Sequence, residues 1–111
     1  MDLFDRIADL PVVIERWKLD TRERDTSSGF TRKTTIVTLL GESEGATHAG
    51  MGEDVTYESE EHDRLIEAAE FDLAGEYTVA SFSDALASTD LFPAGAPGQE
   101  RFRHYRRWAF E

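Results

Sequence analysis

The hydrophobic positions change period twice along this chain. Leu3, Phe4, Ile7, Ala8 and Leu10 recur at helical spacing, and Pro11 ends the run, which predicts a short amphipathic helix at the N-terminus. From Val12 to Leu19 the pattern becomes that of a strand. Val12, Val13, Ile14, Trp17 and Leu19 are strand formers, with Glu15, Arg16 and Lys18 set between them. Thr34 to Leu40 predicts a second strand, rich in β-branched residues. Gly41 to Gly45 is a turn by composition, and Ala46 to Gly52 predicts a third strand. Strands joined by short polar turns favour an antiparallel meander. Asp20 to Lys33 is too long and too polar for a tight turn. Part of it extends the ribbon, with its tip at Thr26-Ser27-Ser28-Gly29, and polar segments of this kind are often functional or mobile.

The second half reads as helical. Ser59 is placed to cap a helix running to about Ala69, with Glu60 and Glu61 in its first turn and Leu65, Ile66 and Ala69 as its buried stripe. Gly75 breaks the pattern. Ser83 is placed to cap a second helix from Asp84 to about Thr89. Pro93 to Gly98 is a loop, and a last helix starts near Gln99 with Phe102, Tyr105 and Ala109 along one side. That last helix carries no glycine stop and no C-cap, so either it frays into solvent or it is cut from a longer one, as the truncated look of its end suggests. Strands first and helices second predict an α+β fold: a three-stranded antiparallel meander followed by a helical segment. Residues 1–111 read as a single domain, with 1–11 as an N-terminal extension.

Charge changes the picture next. Acidic residues number 23 against 12 basic ones, a formal charge of −11. Such a balance argues against nucleic acid and against anionic membrane surfaces as partners. No apolar run approaches the ~20 residues that span a bilayer. The first residues lack the pattern of a signal peptide, so a cytoplasmic location is expected. Only Lys18 and Lys33 are lysines; the other ten basic residues are arginines. Acid-rich, lysine-poor composition is the pattern of salt-adapted proteins, in which high salt screens self-repulsion. Cysteine is absent, which removes disulfides, thiolate metal sites and cysteine nucleophiles.

Candidate chemistry is sparse. Gly45, Gly50 and Gly52 do not have the spacing of either common phosphate-binding loop. Glu58 and His62 stand four apart, but recognisable further metal ligands do not accompany them, and the plainer reading is a solvated helix start. The same holds for Glu58-Ser59-Glu60-Glu61. No nucleophile elbow or Ser-His-Asp arrangement is present. Arg101, Arg103, Arg106 and Arg107 form a basic cluster in an acidic chain. They suit phosphate or an acidic partner, or else they pair with acids of the domain itself or of a missing one, which is the plainer reading. Trp17, Trp108 and the phenylalanines are most simply core or interface anchors.

Taken in order, the segments resemble the N-terminal capping domain of the enolase superfamily, in its mandelate racemase and muconate-lactonizing branch. Val13 to Leu19 is similar to that family's first strand, and Thr34 to Gly41 to its second. Gly50-Met51-Gly52-Glu53 resembles the G-x-G-E that closes its third strand. Arg107 to Glu111 is similar to the start of the helix leading into its barrel. The likeness covers about residues 12–111. It implies a substrate-capping module of a lyase or isomerase that abstracts a proton next to a carboxylate, with the enolate stabilised by magnesium. The magnesium ligands and the base belong to a (β/α) barrel missing from this chain, so no cofactor and no catalytic residue is expected here. The implied partners are that barrel, in the same or a separate chain, and a small carboxylate substrate held by the complete enzyme. A homo-oligomer is also compatible with such enzymes. The loops that close over the barrel map to about Thr21–Lys33 and Gly50–Tyr57. Phe30, Thr31, Met51 and Tyr57 are the substrate-loop candidates. Arg103, Arg107, Trp108 and Phe110 are the interface candidates, with an exposed apolar surface expected around Trp108 and Phe110. The alternative is a self-contained, non-enzymatic α+β interaction module using the basic last helix. A third reading is a small-ligand module using the ribbon.

Overall fold

A computed structural model describes residues 3–25, 31–43 and 45–111; the side chains of residues 24, 25, 31 and 43 lie outside that description. The fold is α+β, with the expected three-stranded antiparallel meander and helices packed on one of its faces. Strands β2 (Arg16–Asp25), β3 (Thr31–Ser43) and β4 (Ala46–Asp54) follow one another in sequence and in space. Most of the polar segment from Asp20 to Lys33 is paired ribbon, since the β2–β3 ladder runs from Arg16↔Leu40 to Asp25↔Thr31. The β3–β4 ladder runs from Thr35↔Asp54 to Ser43↔Ala46.

The single strand expected over Val12–Leu19 is two strands. β1 (Pro11–Ile14) leaves the meander and pairs with β5 (Gly75–Thr78), which the sequence pattern did not predict. The break falls at Glu15, whose N–H donates to the Leu40 carbonyl at 2.8 Å. Gly41 permits the crossing, because a Cβ there would collide with the Val13 carbonyl. An N-terminal helix, α1 (Leu3–Ile7), precedes β1.

The other helices differ from expectation mainly in how they start. α2 (Ser59–Ala68) has Glu58 rather than Ser59 at its N-cap, and Glu58 makes no side-chain cap bond. Within it Leu65 is buried, but Ile66 is 44% exposed and lies off the buried stripe. α3 (Val79–Ala87) starts earlier than Ser83. Thr78 accepts from the Ser81 N–H while the Ser81 hydroxyl accepts from the Thr78 N–H, a complete capping box. Ser83 sits inside this helix. α4 (Arg101–Phe110) has the expected register, with Phe102 and Ala109 buried and Tyr105 half-buried.

One side of each meander strand faces the helices. Trp17 and Leu19 of β2, Val37 and Leu39 of β3, and Gly52 of β4 lie on this side. There they meet Leu73, Phe82, Leu86, Leu91, Phe92, Phe102 and Phe110 in one core. Phe71 bridges β2 and α4 within it, with ring centres 5.4 Å from Trp17 and 5.7 Å from Phe110. Gly52 lets α4 press onto β4, because a Cβ there would collide with the Ala109 carbonyl. Among the described residues, no helix is long and apolar enough to cross a membrane.

Candidate functional site

The polar groups that the fold gathers most tightly are buried. Arg106 lies on the sheet-facing side of α4 and donates through Nε to Asp54 Oδ2 at 2.7 Å. Both side chains are almost fully enclosed. Nη1 of Arg106 donates to the Leu91 carbonyl at 2.9 Å and Nη2 to the Glu61 carbonyl at 3.2 Å. The guanidinium also lies over the Phe92 ring, 3.9 Å from its centre. The other oxygen of Asp54 accepts from the Thr56 N–H at 3.1 Å and the Thr56 hydroxyl at 2.6 Å.

His62 continues the network. Its Nε2 is 2.9 Å from the Thr56 carbonyl, which only accepts, so Nε2 carries the proton. In the neutral ring Nδ1 then accepts from the Thr35 hydroxyl at 2.7 Å. These bonds tie together β3, β4, α2, α4 and the segment before the Pro93 loop. They also correct the solvated helix start expected around Glu58–His62. His62 and Glu61 are buried, and Glu61 holds Arg64 at 2.8 Å. A substrate has no path to groups so enclosed. The network therefore works as a structural lock, and its full hydrogen bonding offsets the cost of burying two charges.

The surface candidates are distributed around this lock. Phe30 lies outside the described residues, as does the side chain of Thr31. Met51 is 71% exposed and projects from the sheet face opposite to that of Gly52 and Asp54. Tyr57 is half-exposed and sits edge-on to Phe102 and Tyr105, with ring centres 6.1 and 5.8 Å away. The guanidiniums of Arg32 and Arg101 each stand 5.5 Å from the Tyr57 ring centre. The hydrogen bond with Tyr57, then partial burial, holds the Tyr105 phenol above its ordinary pKa.

The interface candidates divide. Trp108 is 62% exposed, but Phe110 is 2% exposed and belongs to the core, so the apolar surface expected around both contains Trp108 only. The reason is helical phase: Phe110 follows Phe102 and Arg106 on the inner side, and Trp108 points away. Arg103 pairs with Glu100 at 3.0 Å. Arg107 pairs with Glu111 at 2.9 Å and donates to the Ser83 hydroxyl and carbonyl. The basic cluster is thus largely spent inside the domain, as the plainer reading had it. Asp54, His62, Thr35 and Thr56 were not singled out as a set. Arg106 did carry a signal, since it stands four residues after Phe102 and three before Ala109 on the buried stripe.

Two cavities lie side by side along β1, the first of them at the end of α4. One of about 280 Å³ is lined by Phe4, Ile7, Val12, Leu39, Phe82 and Phe110 among others. The second, of about 390 Å³, shares Val12 and Leu39 with it and continues over Val13, Gly41 and Gly50. Among the described residues, none beyond its chain neighbours lies within 4 Å of where a Cβ on Gly50 would stand. The helix-facing side of the meander is therefore covered at Gly52 and bare one step along at Gly50. A third, more polar cleft lies between the β2–β3 ribbon and α2. It is lined by Thr21, Glu23, Lys33, Asp63, Ile66 and Glu67. Lys33 Nζ is held there at 2.8 Å from Asp63 and 3.2 Å from Glu23, which raises the lysine pKa above its ordinary value. Among the described residues, no three His, Asp or Glu side chains are placed to hold a metal ion.

Fold and surface together define an α+β domain built from a three-stranded meander, locked by a buried Asp–Arg pair and open along an apolar trough. The chain belongs to the family described as "Domain of unknown function (DUF8230) N-terminal domain", which it matches over residues 5–111. No curated protein and no solved structure matched it.

Proposed function

We propose that this chain is a substrate-capping module of an enolase-superfamily-like lyase or isomerase, seated on a catalytic barrel carried in the same or a separate polypeptide. The observation that carries the reading is the apolar trough over Val12, Val13, Leu39 and Gly50. It is a hydrophobic seat on the helix-facing side of the sheet that no described residue covers. The order of the strand and helix segments supports the same reading, as does the description of the family as an N-terminal domain.

In this reading the cap recognises and encloses a small carboxylate, and the barrel holds magnesium and supplies the base. The described residues offer no metal-ligand set, so no step of the chemistry is assigned to them. Arg32 and Arg101, flanking Tyr57, are the cations placed beside the Gly50–Tyr57 segment, where a carboxylate would be met. A cytoplasmic location accompanies the reading.

The test is binding of an apolar dye to the purified chain in molar salt. Strong fluorescence is expected, and Val13→Glu, at the trough wall, is expected to reduce it while the melt stays cooperative. A dye-silent chain with a cooperative melt overturns the reading and favours a self-contained interaction module.

A further inference from the structure

The two edges of the meander are built differently. β2, at one edge, has charges at seven of its ten positions (Arg16, Lys18, Asp20, Arg22, Glu23, Arg24 and Asp25). Charges of this kind keep an open strand from pairing with other chains. β4, at the other edge, has no Asp, Glu, Lys or Arg from Ala46 to Gly52, and no proline. Among the described residues it pairs with β3 alone, and residues 46–51 are all exposed. A long, uncharged edge is what natural sheets avoid unless something pairs with it.

The helix above this edge carries a second sign. α4 turns Arg103 toward Phe92 and Arg107 toward Ser83 of α3. Its opposite flank therefore lies on the side of the open edge, and it presents Arg101, Tyr105 and Trp108. Trp108 there is largely exposed and rests on the rings of His104 and Tyr105.

We propose that the occupant of this edge is a second copy of the chain. β4 pairs antiparallel with its counterpart across a two-fold axis at Ala49, the midpoint of the uncharged run. The two meanders become one six-stranded sheet. α4 runs along β4 from Tyr57 towards Gly52, so the two α4 helices lie on either side of the axis with their C-terminal ends nearest to it. Antiparallel pairing of a strand with itself satisfies two-fold symmetry without a second complementary surface. Charge selects this edge. A chain of formal charge −11 resists meeting itself wherever acids face acids, and Gly45–Gly52 presents none. With the axis at Ala49, Glu53 falls opposite the turn residue Gly45 and not another carboxylate. Ala49 and Gly50 also line the trough, so the two readings are separated by Val13→Glu, which alters the trough wall on β1 and is expected to leave the dimer intact.

Sedimentation of the chain in molar salt is expected to show a dimer. Ala49→Glu sets like charges face to face and is expected to weaken association by about a hundredfold or more. Because the chain has no cysteine, Ala49→Cys gives an unambiguous second readout. Mild oxidation should link it as a covalent dimer on a denaturing gel, while Glu60→Cys on α2 should give no covalent dimer. The Cys variant decides the matter if Ala49→Glu fails to fold. A monomer up to millimolar concentration, or a dimer that neither Ala49→Glu dissociates nor Ala49→Cys cross-links, overturns the proposal.

Discussion

Gly50 and Gly52 stand on the same side of one strand, two residues apart, and only one of them is needed for packing. At Gly52 the Ala109 carbonyl fills the space a side chain would take; at Gly50 that space is empty. Gly52→Ala is therefore expected to cost about 2 kcal/mol or more, the scale of overpacking in a closed core. Gly50→Ala should stay within about 0.5 kcal/mol of the parent, as at other open sites. Urea midpoints of the two variants check this, and equal effects would mean that α4 does not press on β4. Asp54 offers a second test at this scale. Asp54→Ala leaves the Arg106 guanidinium buried without its carboxylate and is expected to destabilise the chain by about 3–5 kcal/mol. A loss below about 1 kcal/mol would mean that water reaches the pair. Arg106 was legible in the sequence as an arginine on a buried stripe. Its carboxylate was not, since 52 residues separate the partners and the chain has 23 acids to choose from.

At the level of elements, the meander followed from alternation and turn composition, because a strand with one buried face writes a period of two into the chain. β5 left no such mark. It is four residues long and owes its pairing to β1, which bends across Gly41 to reach it. The helix starts differ from the expected ones for a related reason. Several Ser and Thr residues have capping chemistry, and only the path of the chain decided that Thr78 and Ser81 form the box.

The ribbon is fastened to α2 through Lys33, and this contact has a pH signature. Its hydrogen bond to Asp63, then that to Glu23, raises the lysine pKa in the folded state. The folded chain thus holds this proton more tightly than the unfolded one does. The contribution is fully present below the ordinary lysine value of about 10.5 and is lost as pH rises through the higher folded value. Lys33→Gln is expected to remove this part of the alkaline loss of stability. Urea midpoints compared across the range above about pH 10 read it directly. A variant that loses stability with pH as steeply as the parent would show that the contact does not persist in solution.

The whole molecule places its helices on one side of the meander and builds its core there, while acids crowd much of the remaining surface. Self-repulsion from a formal charge of −11 weakens as salt shortens the screening distance from about 10 Å at 0.1 M to about 3 Å at 1 M. The melting temperature is therefore expected to rise with sodium chloride toward molar concentration. A fall across that range would mean that surface ion pairs such as Lys33–Asp63 outweigh the repulsion.

Sequence alone determined the α+β class, the three-strand order, the phase of α4 and the acidic, cysteine-free character of the chain. Each of these is either local periodicity or composition. The tertiary structure decided which carboxylate meets the buried arginine, which glycine is pressed, where β1 departs and which sheet edge lacks protection. Those outcomes depend on residues far apart in the chain meeting across the core, and local pattern carries no record of the partner.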